Sequence, residues 1–172
     1  MKIISTLIVL TITSFAYSQT IKSQDLLKYI SDSYKVEYPS SWRIDTSKQG
    51  GIEFAIFSPK ESADDKFLEN INLIIQNLSG KNIDLDKYAA ISEEQIKSNA
   101  VNLKAFNMVK LKKGISNYYK LTYEMTYGNF RLFTEQYYFI RNEEAFVITF
   151  SSETGKSKDM GEEILSSFTL LN

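Results

Sequence analysis

Residues 115–151 contain three aromatic-rich segments, separated only by the short breaks Gly128-Asn129 and Asn142-Glu143. In the first segment, apolar or aromatic residues alternate with polar ones, which is the period-2 pattern of a half-buried strand. The second and third segments are bulky on both sides, and strands of this kind lie inside a covered sheet. We therefore predict a three-stranded antiparallel meander around which the rest of the chain is arranged.

Shorter extended segments precede the meander. Residues 27–30 and 34–38 flank the polar run 31–33 and predict a hairpin. Its second strand ends at Pro39, which has no N–H and a fixed φ. Asp25 leaves an alternative open, because it can cap one helical turn instead, but the hairpin is favoured. Further strands are predicted at 42–45, 52–57, 71–78 and 106–111.

Two segments change to helical spacing. The chain after Asp84 has a packed face at three- and four-residue steps, formed by Leu85, Tyr88, Ala89, Ser92 and Ile96. This spacing predicts an amphipathic helix of about four turns with Asp84 as its N-cap. Near the C-terminus, Asp159 with Glu162 three residues later matches the acidic form of a capping box and predicts a short closing helix. An extended segment follows at 168–171. This order of elements predicts an α+β fold built on a mainly antiparallel β-sheet.

The first 18 residues have the features of a secretory signal peptide. Lys2 supplies the positive start, residues 3–15 form a short apolar run, and Ala16 and Ser18 are the small residues before a cleavage site. The run is short for a bilayer span, so cleavage after Ser18 is preferred to a retained membrane-anchoring helix. We therefore predict a periplasmic or secreted protein, whose mature chain, 19–172, is one domain without a membrane span.

Charge and cysteine content narrow the range of partners. The chain has 20 basic and 21 acidic residues, and one of the basic residues, Lys2, belongs to the predicted signal peptide. The mature chain is thus slightly acidic and has no long basic block, so nucleic acid is not expected as a partner. An exported chain without Cys has no disulfides, so its core must supply its stability.

Residues 34–42, Tyr-Lys-Val-Glu-Tyr-Pro-Ser-Ser-Trp, resemble the opening signature of the PsbP-like superfamily. Later features follow in the same order, namely the strand at 71–78, the helix start at Leu85, the strands with Tyr119 and Tyr137, and the closing helix ending at Phe168. The resemblance covers nearly the whole mature chain. It implies an αβα sandwich, with the sheet flanked by helices, and an accessory or binding role. No functional residue carries over, because the matching positions are those that build the fold.

Several kinds of site are excluded by residue types alone. The chain has no His and no Cys, which rules out a Ser-His-Asp triad, a Cys-His pair, the usual zinc sites and His or Cys haem ligation. No glycine-rich phosphate-binding motif occurs, and Gly50-Gly51 indicates a hairpin turn. The acidic pairs Asp64-Asp65 and Asp84-Asp86 lack the ligand spacing of a calcium loop. We therefore predict no cofactor and no metal site.

Carboxylates remain available for chemistry. Glu124 and Glu135 lie on neighbouring predicted strands, and two carboxylates suffice for glycoside hydrolysis when one of them is buried. However, Glu124 lies on the polar side of its strand, and Arg131 lies four residues from Glu135 on the same face. Ordinary ion pairs are therefore favoured over catalysis.

The aromatic residues of the meander are expected mainly to fill the core, because rings are favoured in strands and both sheet faces need cover. Some of them can line a groove for a peptide, glycan or lipid. The expected contact residues in such a groove are Arg131, Glu135 and Tyr137 beside Phe133, because a charged pair among aromatic rings is difficult to bury.

The leading functional hypothesis is an exported, non-enzymatic binding or accessory protein of the bacterial cell envelope. Its partner is expected to be an envelope protein or a small ligand. One alternative is a carboxylate-dependent hydrolase acting on envelope glycans, which needs two acids facing one cleft. Another is a purely structural subunit, which would show an exposed apolar patch.

Overall fold

The structure, a computed structural model, describes residues 25–154 and 156–171. The predicted signal peptide, residues 1–18, lies outside the described residues, so cleavage after Ser18 stays a prediction. Most of the described chain is extended, with seven strands in a large sheet and three in a small one. Two α-helices accompany them. The prediction of an α+β fold with a mainly antiparallel sheet is confirmed.

The large sheet contains the meander. Its strands are β3 (Arg43–Asp45), β4 (Ile52–Phe57), β5 (Asn70–Asn77), β6 (Val101–Lys113), β7 (Ser116–Tyr127), β8 (Phe130–Arg141) and β9 (Glu144–Glu153). They are ordered β3-β4-β5-β9-β8-β7-β6, and all neighbours are antiparallel. The predicted meander is β7, β8 and β9, and β8 and β9 lie inside the sheet. That prediction is therefore confirmed.

The small sheet joins both ends of the described chain. β1 (Leu26–Ile30) and β2 (Tyr34–Pro39) form an antiparallel hairpin, and β10 (Thr169–Leu170) pairs with the other edge of β2. The predicted hairpin is confirmed, and the alternative of a helical turn after Asp25 is wrong. Tyr34 of β2 is buried and packs against Phe54 of β4, with 5.7 Å between the ring centroids. The hairpin therefore packs on the large sheet.

The two helices cover opposite faces of the large sheet. α1 (Leu85–Asn99) follows β5, and its Ala89 packs in one apolar cluster with Tyr138 of β8. α2 (Lys158–Ser167) follows β9 and packs in a second cluster with Tyr137 of β8. Successive residues of a strand point to opposite faces, so these two tyrosines define an α1 face and an α2 face. The predicted αβα arrangement is confirmed.

The two predicted helix starts have different outcomes. Asp84 is the N-cap of α1, where its Oδ1 accepts a hydrogen bond of 2.8 Å from the backbone N–H of Lys87, as predicted. The predicted capping box of α2 is wrong, because Ser157 is the N-cap and Asp159 lies in the first helical turn. Neither of the helices that the structure describes is long and apolar enough to cross a bilayer.

A close contact fixes α2 on the sheet. Gly161 packs directly against Phe150 of β9, and a Cβ at this position would overlap the phenyl ring. This contact lies within α2 and not at its end, and it sets the position of the helix on the sheet. The start of the helix therefore follows tertiary packing and not the acidic residues near it.

β6 is longer than predicted. It runs from Val101 to Lys113, directly after α1, whereas the sequence pattern predicts a strand only at 106–111. Its pairing with β7 shifts register on both sides of Lys104, and Asn102 and Ala105 have φ values of 55° and 49°. Such bulges interrupt the alternation of side chains, which is why the first half of the strand has no period-2 pattern.

Candidate ligand-binding site

A cavity of about 310 Å³ lies between the second half of α1 and the α1 face of β7 and β8. The helix lines it with one stripe of side chains, Tyr88, Ser92, Gln95 and Asn99. These residues share a face because an α-helix completes a turn about every 3.6 residues. The cavity is thus formed by the packing of a regular helix on a regular sheet.

The sheet wall of the cavity is aromatic and preformed. Tyr123 of β7 and Tyr138 of β8 are almost fully buried, and Gln136 lies between them in partial contact with solvent. Tyr88 meets Tyr138 edge to face, with 5.4 Å between the ring centroids. Tyr123 stacks on Phe106 of β6 at 6.3 Å. Such aromatic pairs have preferred geometries, so these contacts hold the rings in place.

Hydrogen bonds fix the polar groups of the cavity. The hydroxyl of Tyr138 donates to Oε1 of Gln136 at 2.7 Å, and Nε2 of Gln136 donates to Oγ1 of Thr149 at 3.0 Å. The hydroxyl of Tyr88 donates to Oε1 of Gln76 on β5 at 2.9 Å. A hydroxyl that donates one bond can still accept another. Both tyrosine oxygens can therefore accept a hydrogen bond from a ligand.

The cavity is uncharged. Its described lining includes no Asp, Glu, Lys or Arg. Burial raises the pKa of Tyr88, Tyr123 and Tyr138, so these hydroxyls stay protonated well above neutral pH. Ala100, directly after α1, also lines the cavity. The carbonyl of Ile96 accepts the N–H of Ala100 at 2.9 Å, and the carbonyls after it lie beyond the helical ladder, so the end of the helix carries partial negative charge.

This set of groups is suited to binding more than to proton transfer. General acid–base catalysis requires a titratable side chain near the reacting atom, and none of the described lining residues titrates near neutral pH. Ser92 is a potential nucleophile, but no lining residue is a base that could activate it. Among residues 25–154 and 156–171, no group of three or more acidic side chains is arranged to hold a metal ion.

The contact residues predicted from the sequence lie on the α2 face of β8, away from the cavity. Nζ of Lys120 on β7 lies 3.0 Å from Oε1 of Glu135, whose side chain is almost fully buried. Nη2 of Arg131 lies 3.4 Å from Oε2 of Glu124. Both carboxylates therefore form cross-strand ion pairs, and Glu135 pairs with Lys120 instead of with Arg131 on its own strand.

Phe133 and Tyr137 are covered by α2. The hydroxyl of Tyr137 lies 3.5 Å from Oγ of Ser166, and Nζ of Lys158 lies 4.1 Å from the ring centroid of Phe133. Burial raises the pKa of Tyr137 to about 12. The structure thus brings Phe133, Glu135 and Tyr137 together beneath α2. It leaves the fourth predicted residue, Arg131, in an exposed ion pair near the start of β8.

Part of the helix wall follows from the sequence pattern. The three- and four-residue spacing of α1 assigns Tyr88, Ser92 and Ile96, which line the cavity, to its packed face. Gln95 and Asn99 continue the same stripe at helical spacing, although the charged residues Glu94 and Lys97 are close to them in sequence. A solvated helix face normally carries charges. An uncharged polar extension of the packed face is therefore the signal that could have located the cavity.

Comparison with known proteins bears on the fold. Neither the known protein families nor the curated proteins give a match to this sequence. Among solved structures, the cyanobacterial PsbP protein (CyanoP) of Synechocystis is similar with a TM-score of 0.63 and 14% identity, over 88% of this chain and 96% of that chain. LpqN of Mycobacterium tuberculosis, which is involved in cell envelope biogenesis, is similar with a TM-score of 0.61 and 14% identity, over 88% and 95%.

A third similar structure is a protein of Bacteroides thetaiotaomicron, with a TM-score of 0.53 and 17% identity, over 84% of this chain and 48% of that chain.

The sequence signature at residues 34–42, which predicts this fold, forms β2 and a packed corner at its end. Tyr38 and Trp42 are buried there, and the N–H of Trp42 donates to the carbonyl of Pro39 at 2.9 Å. The residues that carry the resemblance therefore build the core, and the chain has the PsbP-like fold.

Proposed function

We propose that this chain is an exported, non-enzymatic binding protein of the bacterial cell envelope, and that its ligand occupies the cavity beside α1. The observation that carries the proposal is a preformed cavity of about 310 Å³, in which three tyrosines meet uncharged polar side chains. Small-molecule sites are concave and largely preformed, with a few fixed polar groups among aromatic and apolar ones. The cavity beside α1 has these properties.

Two observations support an envelope location. Residues 1–18 have the charged start, apolar run and small residues of a signal peptide. LpqN, which is similar in fold, is involved in cell envelope biogenesis. An accessory role that depends on binding agrees with both.

A hydrolase acting on envelope glycans is the competing function. Glycoside hydrolysis needs two carboxylates about 5–10 Å apart at a cleft. Glu124 and Glu135 are on the α2 face of the sheet, whereas the cavity is on the α1 face. Each carboxylate is also paired with a cation. This placement supports binding without turnover.

The test is a titration of isotopically labelled protein with two fractions of a bacterial envelope, one aqueous and one extracted with organic solvent. We expect amide chemical shifts in α1, β7 and β8 to change with at least one fraction. Ser92→Trp fills the cavity from the helix and is expected to abolish these changes. Ser98→Trp, on the exposed side of the same helix, is expected to preserve them.

Two results would overturn the proposal. One is a set of shift changes confined to the α2 face. The other is turnover of an envelope glycan that disappears in Glu135→Gln while the variant keeps its thermal stability, because that would assign the function to the buried carboxylate and not to the cavity.

A further inference from the structure

We infer that the ligand of the cavity beside α1 is an uncharged carbohydrate, held through one sugar ring; this inference rests on the proposed function. The charge of the lining limits the ligand. The described lining has no cationic or anionic side chain. A phosphate or carboxylate that entered would lose hydration without gaining a cationic partner, which is unfavourable. The lining therefore selects a neutral ligand.

The hydrogen-bonding groups of the walls fit a ligand with hydroxyl groups. The end of α1, which carries partial negative charge, lies at the cavity, where Asn99 and Ala100 belong to the lining. The side-chain amides of Gln95, Asn99 and Gln136 can both donate and accept, and the hydroxyls of Tyr88 and Tyr138, whose protons are already donated within the protein, can accept. A ligand with several hydroxyl groups satisfies donors and acceptors together, and it places its own donors toward the helix end.

A cationic ligand is the strongest competing chemistry, because tyrosine rings and a helix C-terminus both attract positive charge. Sites for quaternary ammonium groups are built mainly from ring faces. In this cavity the rings of Tyr88 and Tyr138 meet edge to face and Tyr123 stacks on Phe106, so part of the ring surface is already occupied. Three of the other lining residues carry side-chain amides, beside one serine and three apolar residues. A quaternary ammonium group has no N–H to donate to the amides, so the amides favour a sugar.

The size of the cavity fits one sugar ring. The volume of about 310 Å³ is at the lower end of the range of about 300–1,000 Å³ that is typical of small-molecule sites. One sugar ring is of this order, and its apolar C–H groups can contact Ile96, Met125 and the ring edges that line the cavity while its hydroxyls reach the amides. Gln95 and Asn99 are exposed at the rim. Further sugar units can therefore extend into solvent, so the end of a longer glycan fits as well as a free sugar.

The experiment compares neutral sugars with charged counterparts of the same ring. The probes are glucose, N-acetylglucosamine and their disaccharides, against glucuronic acid, glucose 6-phosphate and glucosamine, with choline as the cationic control. We expect a neutral sugar at millimolar concentration to shift amides of α1, β7 and β8. We expect the charged sugars to bind more weakly than the neutral ones by a factor of about ten at least.

Matched variants connect the effect to the rim of the cavity. Gln95→Ala combined with Asn99→Ala is expected to weaken sugar binding about tenfold, because two exposed amides are removed without loss of core. Glu94→Ala combined with Ser98→Ala, on the solvent side of α1, is expected to leave binding unchanged. Thermal unfolding of each variant separates loss of binding from loss of fold.

The outcomes separate this inference from the proposed function. Charged sugars that bind as tightly as neutral ones, or choline that binds more tightly than any sugar, would show that the ligand class is wrong. If no neutral sugar shifts the cavity amides but an envelope fraction does, the inference fails and the proposed function stands. If neither sugars nor envelope fractions shift them, both are wrong.

Discussion

Nζ of Lys120 on β7 lies 3.0 Å from Oε1 of Glu135 on β8, and only 5% of the Glu135 side chain is exposed. The two groups are close enough to form an ion pair, but their relative orientation is not that of a hydrogen bond. The same Nζ donates to Oε1 of Glu162 on α2 at 2.7 Å. One lysine therefore connects two strands to the helix above them, and it compensates a carboxylate that water scarcely reaches.

Lys120→Met is expected to destabilise the protein by about 2–3 kcal/mol, because it leaves the carboxylate of Glu135 buried without a partner. Removing one member of a buried pair typically costs about 3–5 kcal/mol. The cost is expected to be lower here because the lysine side chain is 21% exposed. Urea unfolding followed by the fluorescence of Trp42, the only Trp of the chain, measures the change.

Two further variants make this prediction specific. Glu135→Gln in the Lys120→Met background is expected to restore part of the loss, because no charge then remains buried. Lys28→Met breaks the exposed ion pair with Glu37 and is expected to cost less than about 1 kcal/mol. If Lys120→Met costs no more than Lys28→Met, Lys120 does not compensate the buried charge of Glu135.

Much of the fold could be predicted because its signals are local and periodic. Alternation in the meander and the three- and four-residue spacing after Asp84 each correspond to an element of the structure. The first half of β6 could not be predicted because a bulge at Ala105 interrupts the alternation. The start of α2 could not be predicted either, because it depends on the contact of Gly161 with Phe150 on another element.

The candidate site was harder to predict because strand register decides which residues meet. Arg131 and Glu135 share a face, but four residues along a strand span about 13 Å, whereas residues opposite each other are about 5 Å apart. Register places Arg131 opposite Thr126 and Glu135 opposite Thr122, so each reaches a different residue of β7. Sequence spacing does not contain this register. The cavity likewise exists only once α1 is packed on the sheet.

Stability is expected to decrease as the pH rises above 10. Burial raises the pKa of Tyr34 and Tyr137 to about 12, from an ordinary value near 10. The contribution of a group whose pKa is raised by folding is fully present below pH 10. It is lost between about pH 10 and 12, because the unfolded chain releases its proton first. The expected loss is roughly 1 kcal/mol per tyrosine at pH 11, measured by urea unfolding at pH 8 and 11.

Tyr137→Phe isolates one of these contributions. Lys120 also contributes to the pH dependence. Burial lowers its pKa, but the contacts with Glu162 and Glu135 outweigh burial and raise the pKa overall, so the stabilisation from Lys120 is also lost at high pH. Tyr137→Phe keeps the contribution of Lys120 and removes that of the tyrosine, so this variant is expected to lose less stability between pH 8 and 11 than the parent protein. Tyr127→Phe, at an exposed ring, is expected to match the parent. Equal pH dependence in all three proteins would contradict the assignment.

Gly161→Ala is expected to destabilise the protein by about 1–3 kcal/mol, because the added Cβ overlaps the ring of Phe150. A loss of stability is informative here, because Ala in a helix is otherwise favoured over Gly by about 1 kcal/mol. Glu163→Ala on the exposed side of α2 is the control and is expected to change stability by less than about 0.5 kcal/mol. A second change, Phe150→Leu, is expected to relieve part of the overlap, so additive effects of the two substitutions would argue against direct contact.

Ser157→Gly is expected to stabilise the protein by about 0.5–1 kcal/mol. Ser157 is the N-cap of α2, but its φ is 48° and its side chain makes no capping hydrogen bond. Removing its Cβ relieves a left-handed conformation that costs about 1–2 kcal/mol, and the greater freedom of Gly in the unfolded chain offsets part of this gain. Asp84 provides the contrast, because its side chain caps α1. Asp84→Ala is expected to cost about 1 kcal/mol. The two urea midpoints should therefore move in opposite directions, and a decrease in both would mean that the backbone at Ser157 carries no strain.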